Sequence, residues 1–228
     1  MKKKKVSALF ISDVHLGSKV SRGELVVRLL NEYESDEIFF AGDLFDDLNL
    51  HRLHKEHWEL LTEIRSYSKN HRVILVMGNH DQLLSSLGKL LGIDVVPEII
   101  WTSKGRRYLI IHGHQFDRYV MNRPITTAVA SAIYYVAQHY SWNEKQQFAR
   151  FLKKKSKQYL RLSEEIAPRL AAYAKSKGAD GVIFGHTHES MDKMVDGVHM
   201  INCGCFTDVP SSCVIALYDG TFVHHEIS

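Results

Sequence analysis

Val6-Ser7-Ala8-Leu9-Phe10-Ile11-Ser12-Asp13-Val14-His15 sets a short apolar run directly against an Asp-x-His. An apolar run of this length, stopped by polar residues, reads as a buried strand with chemistry at its carboxyl end. The arrangement recurs. Ile38 to Ala41 leads into Gly42-Asp43-Leu44-Phe45-Asp46, and Val73 to Met77 into Gly78-Asn79-His80-Asp81. Tyr108 to Ile111 leads into His112-Gly113-His114, and Gly181 to Phe184 into Gly185-His186-Thr187-His188. In an open α/β sheet the loops at the carboxyl ends of the strands line the ligand crevice. Five loops therefore carry Asp, His and Asn side chains to one place. Glycine recurs in four of them, where a strand must turn sharply or a backbone must come close.

Between these strands the apolar residues change period. Leu25, Val26, Leu29, Leu30 and Tyr33 recur at helical spacing, and so do Leu53, His57, Leu60, Leu61 and Ile64. Strand and helix alternate as in βαβ units, which predicts an α/β fold. The chain reads as extended around Val95 to Ile100 and again from Tyr108, with a turn at Lys104-Gly105. From Met121 to Lys177 the pattern is helical throughout. Ile125, Val129, Ala132, Ile133, Val136 and Tyr140 share one face, and Ser141-x-x-Glu144 reads as a capping box opening a helix with Phe148, Phe151 and Leu152 as its stripe. A third helix is expected from about Lys157 to Lys177, with Pro168 marking a kink or its first turns. Strands return at Gly181 to Phe184, Val198 to Asn202 and Cys213 to Tyr218, and Asp219-Gly220 turns the chain into a last one, Thr221 to Ile227. The reading is one domain over residues 1–228, interrupted by a helical cap at about 118–177.

Composition narrows the class. At 228 residues, 45% hydrophobic and 24% charged, the chain is long enough for one sizeable globular core. No apolar run approaches the ~20 residues that span a bilayer. Lys2 to Lys5 resemble the basic end of an export signal, but the apolar run after them is too short and ends at Ser12, so none is expected. Cys203, Cys205 and Cys213 are an odd set, which argues against a disulfide framework and for the cytoplasm. Cys203-x-Cys205 lacks the second pair that a thiolate metal site needs. The net charge of +3 is unevenly spread. Arg118 to Lys177 holds twelve Lys/Arg and three Glu, a net of +9. An acidic body with a basic insert suits a protein that gathers cations in one place and an anionic substrate in another.

Carboxylate, imidazole and amide donors without thiolate suit Mn²⁺, with Fe, Zn²⁺ or Ni as alternatives. Two such ions sharing a carboxylate can activate a water for in-line attack on phosphorus. The ordered set D-x-H, G-D-x-x-D, G-N-H-D, H-G-H and G-H-T-H resembles the signature of the calcineurin-like metallophosphoesterases. That resemblance implies a two-sheet, four-layer α/β sandwich with two divalent metal ions at the strand ends. It implies that Asp13, His15 and His188 hold one ion and Asn79, His112 and His186 the other, with Asp43 bridging. His114 is the alternative to His112. It also implies that His80 is no ligand but stabilises the transition state or protonates the leaving oxygen, oriented by Asp46. Of the remaining histidines, His51, His54, His57, His71, His224 and His225 read as surface or packing residues.

The insert begins after His112-Gly113-His114-Gln115-Phe116-Asp117 and ends before the last histidine motif, so both its ends fall at the crevice. This layout is similar to that of the UDP-2,3-diacylglucosamine hydrolases, in which a helical cap holds acyl chains and the metals attack a diphosphate. The resemblance implies a pyrophosphatase-type reaction on a lipid-linked nucleotide in lipid A biosynthesis. Asn79, His80, Arg118 and Arg123 would bind substrate, with Asp117 and His114 as further site residues. The chain departs from those hydrolases at His80, where they carry Arg, and at His114, where they carry Asp. The alternatives are a phosphodiesterase or phosphatase for another small molecule, and a non-enzymatic metal-binding scaffold. Trp58 and Trp142 read as core or interface aromatics, and no nucleic acid is expected as partner. Lys2 to Lys5 and the basic insert together suggest peripheral contact with the inner face of an anionic membrane.

Overall fold

The computed structural model of the chain describes residues 2–47, 49–81, 85–117 and 158–228. The bulk of the expected cap lies outside the described residues, including Arg118, Arg123, the stripe from 125 to 140 and the capping box at Ser141. Trp142 also lies outside them.

In chain order the elements are β1 (Lys4–Ile11), α1 (Gly23–Glu32), β2 (Tyr33–Phe40), α2 (Lys55–Tyr67), β3 (Arg72–Val76), α3 (Ser85–Leu91), β4 (Asp94–Val96), β5 (Ile99–Ser103) and β6 (Arg106–Ile110). After residue 157 follow α4 (Gln158–Ser176), β7 (Gly181–Phe184), β8 (Met191–Val195), β9 (Val198–Asn202), β10 (Ser211–Ala216) and β11 (Phe222–Ile227). One sheet has the order β11-β10-β1-β2-β3-β4 and the other β5-β6-β7-β9-β8. The strands that end in motifs run parallel: β1, β2 and β3 in the first sheet, β6 and β7 in the second.

Each apolar run is nearly continuous because both of its faces are covered. Leu9, Ile11, Ile38, Phe40 and Leu75 pack outward against Leu25, Leu29, Leu60 and Ile64 of α1 and α2. Phe10, Phe39 and Ile74 face Trp101, Tyr108, Ile110 and Ile183 in a core between the sheets. There Phe10 stacks on Phe39 at 5.1 Å and meets Trp101 edge-on at 5.2 Å. Leu109, Val182 and Phe184 pack on Ile166, Leu170 and Ala174 of α4. Helices, sheet, sheet, helix: the architecture is the expected α/β sandwich.

Several elements differ from the sequence expectation. Tyr33 begins β2 instead of closing the helical stripe; its backbone is extended at φ −111° and ψ 143°, and its ring packs against His225 at 5.7 Å. The stretch around Val95 to Ile100 is two strands in two different sheets, parted at Pro97-Glu98. Proline cannot donate to a ladder, so the chain changes sheet there. Pro168 stands in the interior of α4. It is exposed, as is Glu164 one turn before it, so the carbonyl that loses its helical donor meets water. β8 and α3 were not expected. The lysines at the start are not a loose tail: Lys3 donates to the Leu30 carbonyl (2.8 Å), and Lys4 and Lys5 pair with Glu32 (2.8 Å) and Glu34 (3.7 Å). Among the described residues no helix is long and apolar enough to cross a membrane.

His57 is a buried residue of α2 with a structural task. Its Nδ1 accepts hydrogen bonds from the backbone N–H of Gly17 and of His54, both at 3.2 Å, and so ties the loop after His15 to the start of the helix. Burial, helped by neighbouring His54, holds its pKa below the ordinary value. A folded pKa lower than the unfolded one (~6.5) means that stability is present above that value and lost as pH falls through the folded pKa. Urea unfolding in the presence of chelator should therefore lose midpoint between pH 7.5 and 5.5 more steeply in the parent than in His57→Gln. Equal slopes would remove His57 from the account.

Candidate metal centre

The motif loops meet at one rim of the sandwich, where the backbone takes an unusual course. Asp13 (φ 52°), His15 (φ 50°), Asp43 (φ 51°), His186 (φ 67°) and His188 (φ 58°) all lie in the left-handed region. That region is sparsely populated by residues other than glycine, although Asp and His enter it more readily than most. Its use by five polar residues of these loops marks a place where geometry is held against local preference. Two glycines show how tightly the loops converge. A Cβ on Gly42, itself at φ 95°, would overlap the His112 ring, and one on Gly78 would land on the Asp43 carboxylate.

Within this rim Asp13, His15 and His188 bring ligand atoms within 4.8 Å of one another. The same holds for Asp13, Asp43 and His112, and for His15, Asp43 and His80. Asp43 belongs to two of these groups: its Oδ2 lies 3.3 Å from His112 Nε2, 3.8 Å from His15 Nε2 and 3.9 Å from His80 Nε2. His188 Nε2 lies 3.1 Å from Asp13 Oδ1. Asp13 Oδ1, both ring nitrogens of His15, Asn79 Oδ1 and His112 Nε2 are buried without a hydrogen-bond partner. Orphaned polar atoms of this number are costly unless something else satisfies them. Divalent cations fit: every inward atom is an oxygen or nitrogen lone pair, and two carboxylates bring the charge.

The rings are aimed by partners behind them. His112 Nδ1 hydrogen-bonds the Ala41 carbonyl at 2.8 Å, which leaves Nε2 facing Asp43. His188 Nδ1 meets Thr207 Oγ1 at 3.1 Å, and His186 Nε2 meets the buried Asp117 at 3.0 Å. Such outer contacts fix tautomer and orientation in metal sites. His80, at the rim and partly exposed, turns Nδ1 to the backbone carbonyl of Asp46 at 2.6 Å, while its backbone N–H donates to Asp43 Oδ1 at 3.0 Å. The expected link from Asp46 to His80 therefore runs through main chain. The Asp46 carboxylate instead pairs with Arg52 at 2.8 Å and faces His15 Nδ1 at 3.5 Å. Of the H-G-H pair, His112 converges with the two aspartates. His114 stands behind, 5.5 Å from it ring to ring, and burial with the charges of His112 and His186 pushes its pKa down to about 4.

Charge is concentrated here. Burial alone would raise the Asp13 carboxyl, but His188 and His15 reverse this and hold it well below the usual carboxylate range; His112 and His15 do the same for Asp43. Burial opposes a charge on His15 and His112, yet the facing aspartates push them up to about 10 and 9. Without cations the rim holds protons in their place, so metal loading has to release protons.

Asp81, quoted in the sequence motif without a role, proves to be an anchor. Fully buried, it accepts from the backbone N–H of Gly78 (3.1 Å), Phe45 (3.3 Å) and Leu44 (3.4 Å), and so stitches the second motif loop to the third. Burial and the Asp43 charge push its pKa up to about 6. Asn202 plays the same part in the other sheet, donating to Gly185 O at 2.8 Å and Thr187 Oγ1 at 3.0 Å. The end of β9 signals Asn202; nothing in the sequence signals Thr207.

Residues 6–190 match the calcineurin-like phosphoesterases, which spans well over half of the chain. The chain belongs to the calcineurin-like phosphoesterase family. Members of this family work with two metal ions on phosphorylated substrates, and the rim supplies residue groups able to hold them. No curated protein matches the sequence. Among solved structures, an archaeal phosphodiesterase superposes with TM-score 0.54 at 16% identity, over 96% of this chain and 99% of its own. The Escherichia coli phosphoesterase Yfce superposes with TM-score 0.51 at 16% identity, over 97% and 99%. Vps29 of Entamoeba histolytica, solved with zinc, follows at 0.49 and 17%, over 96% and 97%. Likeness at these identities concerns the fold alone.

Proposed function

We propose that this calcineurin-like phosphoesterase is a two-metal hydrolase whose substrate is a nucleotide-linked lipid diphosphate. One observation carries the hydrolase reading: Asp13, His15, Asp43, His112 and His188 crowd their ligand atoms together, and Asp13 Oδ1, Asn79 Oδ1, His112 Nε2 and both ring nitrogens of His15 are buried there with no hydrogen-bond partner. Asp13, His15 and His188 hold one ion in this reading, Asn79, His112 and His186 the other, and Asp43 both. Asp117 fixes His186 through Nε2 and leaves its Nδ1 for the ion. Mn²⁺ is the proposed metal, since the donors are carboxylate, imidazole and amide. Ions bound there polarise a phosphoryl oxygen and lower the pKa of water. His80, anchored through Nδ1 to Asp46, presents Nε2 toward the space and hands a proton to the leaving oxygen.

The substrate proposal rests on the segment between residues 117 and 158. Its sequence is basic and carries an apolar stripe, with Arg118 and Arg123 at its start. Described residues on either side of it contact the rim loops: Asp117 meets His186, and Ser163 of α4 donates to Glu189, next to His188, at 2.9 Å. A polar reaction centre in a chain that also carries such a sequence suits a substrate with an anionic head and acyl chains. Such a substrate would also favour peripheral contact with a membrane from the cytoplasmic side. The presence of His80 supports a second reading, a phosphodiesterase for a smaller substrate.

The Mn²⁺-loaded protein should release UMP from a UDP-linked diacyl sugar, and chelator should stop it. Hydrolysis of an aryl phosphodiester without UMP release would move the function to the second reading. Two bound ions with neither activity would make the chain a scaffold.

A further inference from the structure

Behind His188, away from the orphaned atoms, lies a second convergence of donors. His188, Cys205 and Asp208 bring ligand atoms within 4.8 Å of one another. Cys205 is buried and Asp208 half-buried, so the group reaches from the interior to the surface. Thr207 sits among them: its hydroxyl donates to Cys205 Sγ at 3.5 Å and meets His188 Nδ1 at 3.1 Å. The turn is held by its backbone. The Asp208 carbonyl accepts from Arg22 (3.2 Å) and Ser211 (3.0 Å), and Gly204 N–H donates to Asn202 Oδ1 at 2.9 Å. Cys203 belongs to the core between the sheets, so the Cys-x-Cys spacing does not act as a chelating pair.

We propose that His188, Cys205 and Asp208 form a binding site for one thiophilic divalent ion, Zn²⁺ or Cd²⁺, and that filling this site inhibits the enzyme. One sulfur, one nitrogen and one oxygen ligand, with a hydroxyl or water completing four, is a donor set that zinc-like ions accept. The dinuclear rim offers no sulfur, so ligand softness divides the metals: thiophilic ions at Cys205, harder ions among the aspartates. On binding, the Cys205 S–H bond breaks, its proton passes to solvent and a sulfur–metal bond forms. The two sites share His188. An ion beside Cys205 either turns the ring away from Asp13 or leaves one imidazole between two cations, and both weaken the ion held with Asp13 and His15. This inhibition rests on the assignment of His188 to the dinuclear centre; binding at the new site does not.

The test is a Cd²⁺ titration of the full chain preloaded with Mn²⁺, following the ultraviolet sulfur-to-cadmium band, Mn²⁺ freed into solution and phosphodiester hydrolysis. The expected result is a band that saturates at one Cd²⁺, with Mn²⁺ release and loss of activity in parallel. In Cys205→Ser the band should vanish, and the inhibiting concentration, scaled to that variant's own activity, should rise at least about tenfold. Asp208→Asn should shift both in the same direction, which covers the case of a serine variant that folds poorly. No band, a band that survives in Cys205→Ser, or equal inhibition of parent and variant would overturn the proposal. A Cys205-dependent band with Mn²⁺ release, in a protein inactive from the outset, would uphold the site and fault the hydrolase reading alone.

Discussion

Asp43→Asn should fold, bind less metal and lose turnover by at least about a thousandfold, the rate equivalent of about 4 kcal/mol. Asparagine tolerates the left-handed backbone that Asp43 adopts at φ 51° and can still accept the His80 N–H. What the substitution removes is the negative charge facing His15, His80 and His112. If Asp43 holds both ions, the loss should appear as fewer than two metals per chain by elemental analysis, in a protein whose circular dichroism in chelator still shows the parent's fold. Two retained metals with normal turnover would place the bridge elsewhere.

His80→Ala should do the opposite with the metals, keeping both, and lose about 10²- to 10⁴-fold in turnover. Its ring stands partly exposed at the rim, bound through Nδ1 to the Asp46 carbonyl and with Nε2 3.9 Å from Asp43. A group that acts only as the leaving oxygen departs lowers kcat and kcat/KM together and leaves KM near the parent's. The proximity of His80 to His15 and Asp43 makes a ligand role the rival. Metal analysis separates the two, because only a ligand takes an ion away with it.

The strands ending in chemistry were legible because burial on both faces leaves an unbroken apolar run, and the polar stop after it marks the strand end. Val6 to Ile11 before Asp13, and Gly181 to Phe184 before His186, are of this kind. β8 was not legible: Met191–Val195 is an edge strand whose central residues are exposed, so neither alternation nor a run reveals it. The division into two sheets was hidden for another reason. Val95 and Ile99 look alike in sequence, yet Val95 packs toward the helix-side core and Ile99 toward the core between the sheets, a choice made by tertiary contacts around Pro97. In the site, residues that face the space came from recognisable motifs. Those that aim them, the Ala41 and Asp46 carbonyls and Thr207, use backbone or a common hydroxyl and carry no sequence signature.

The position of β1 bears on how this protein is made. β1 lies in the middle of its sheet, and Ala8 to Phe10 pair with Val214 to Ala216, far along the sequence. On a ribosome β1, β2 and β3 can associate early, but one edge of β1 stays bare until β10 has emerged. Through that interval Phe10, Phe39 and Ile74 lack the second sheet that covers them. An unpaired strand edge beside an uncovered apolar face is the combination that favours mispairing. The same order fixes when the rim can close: Asp13 meets His188 only after the residues up to position 188 have left the exit tunnel.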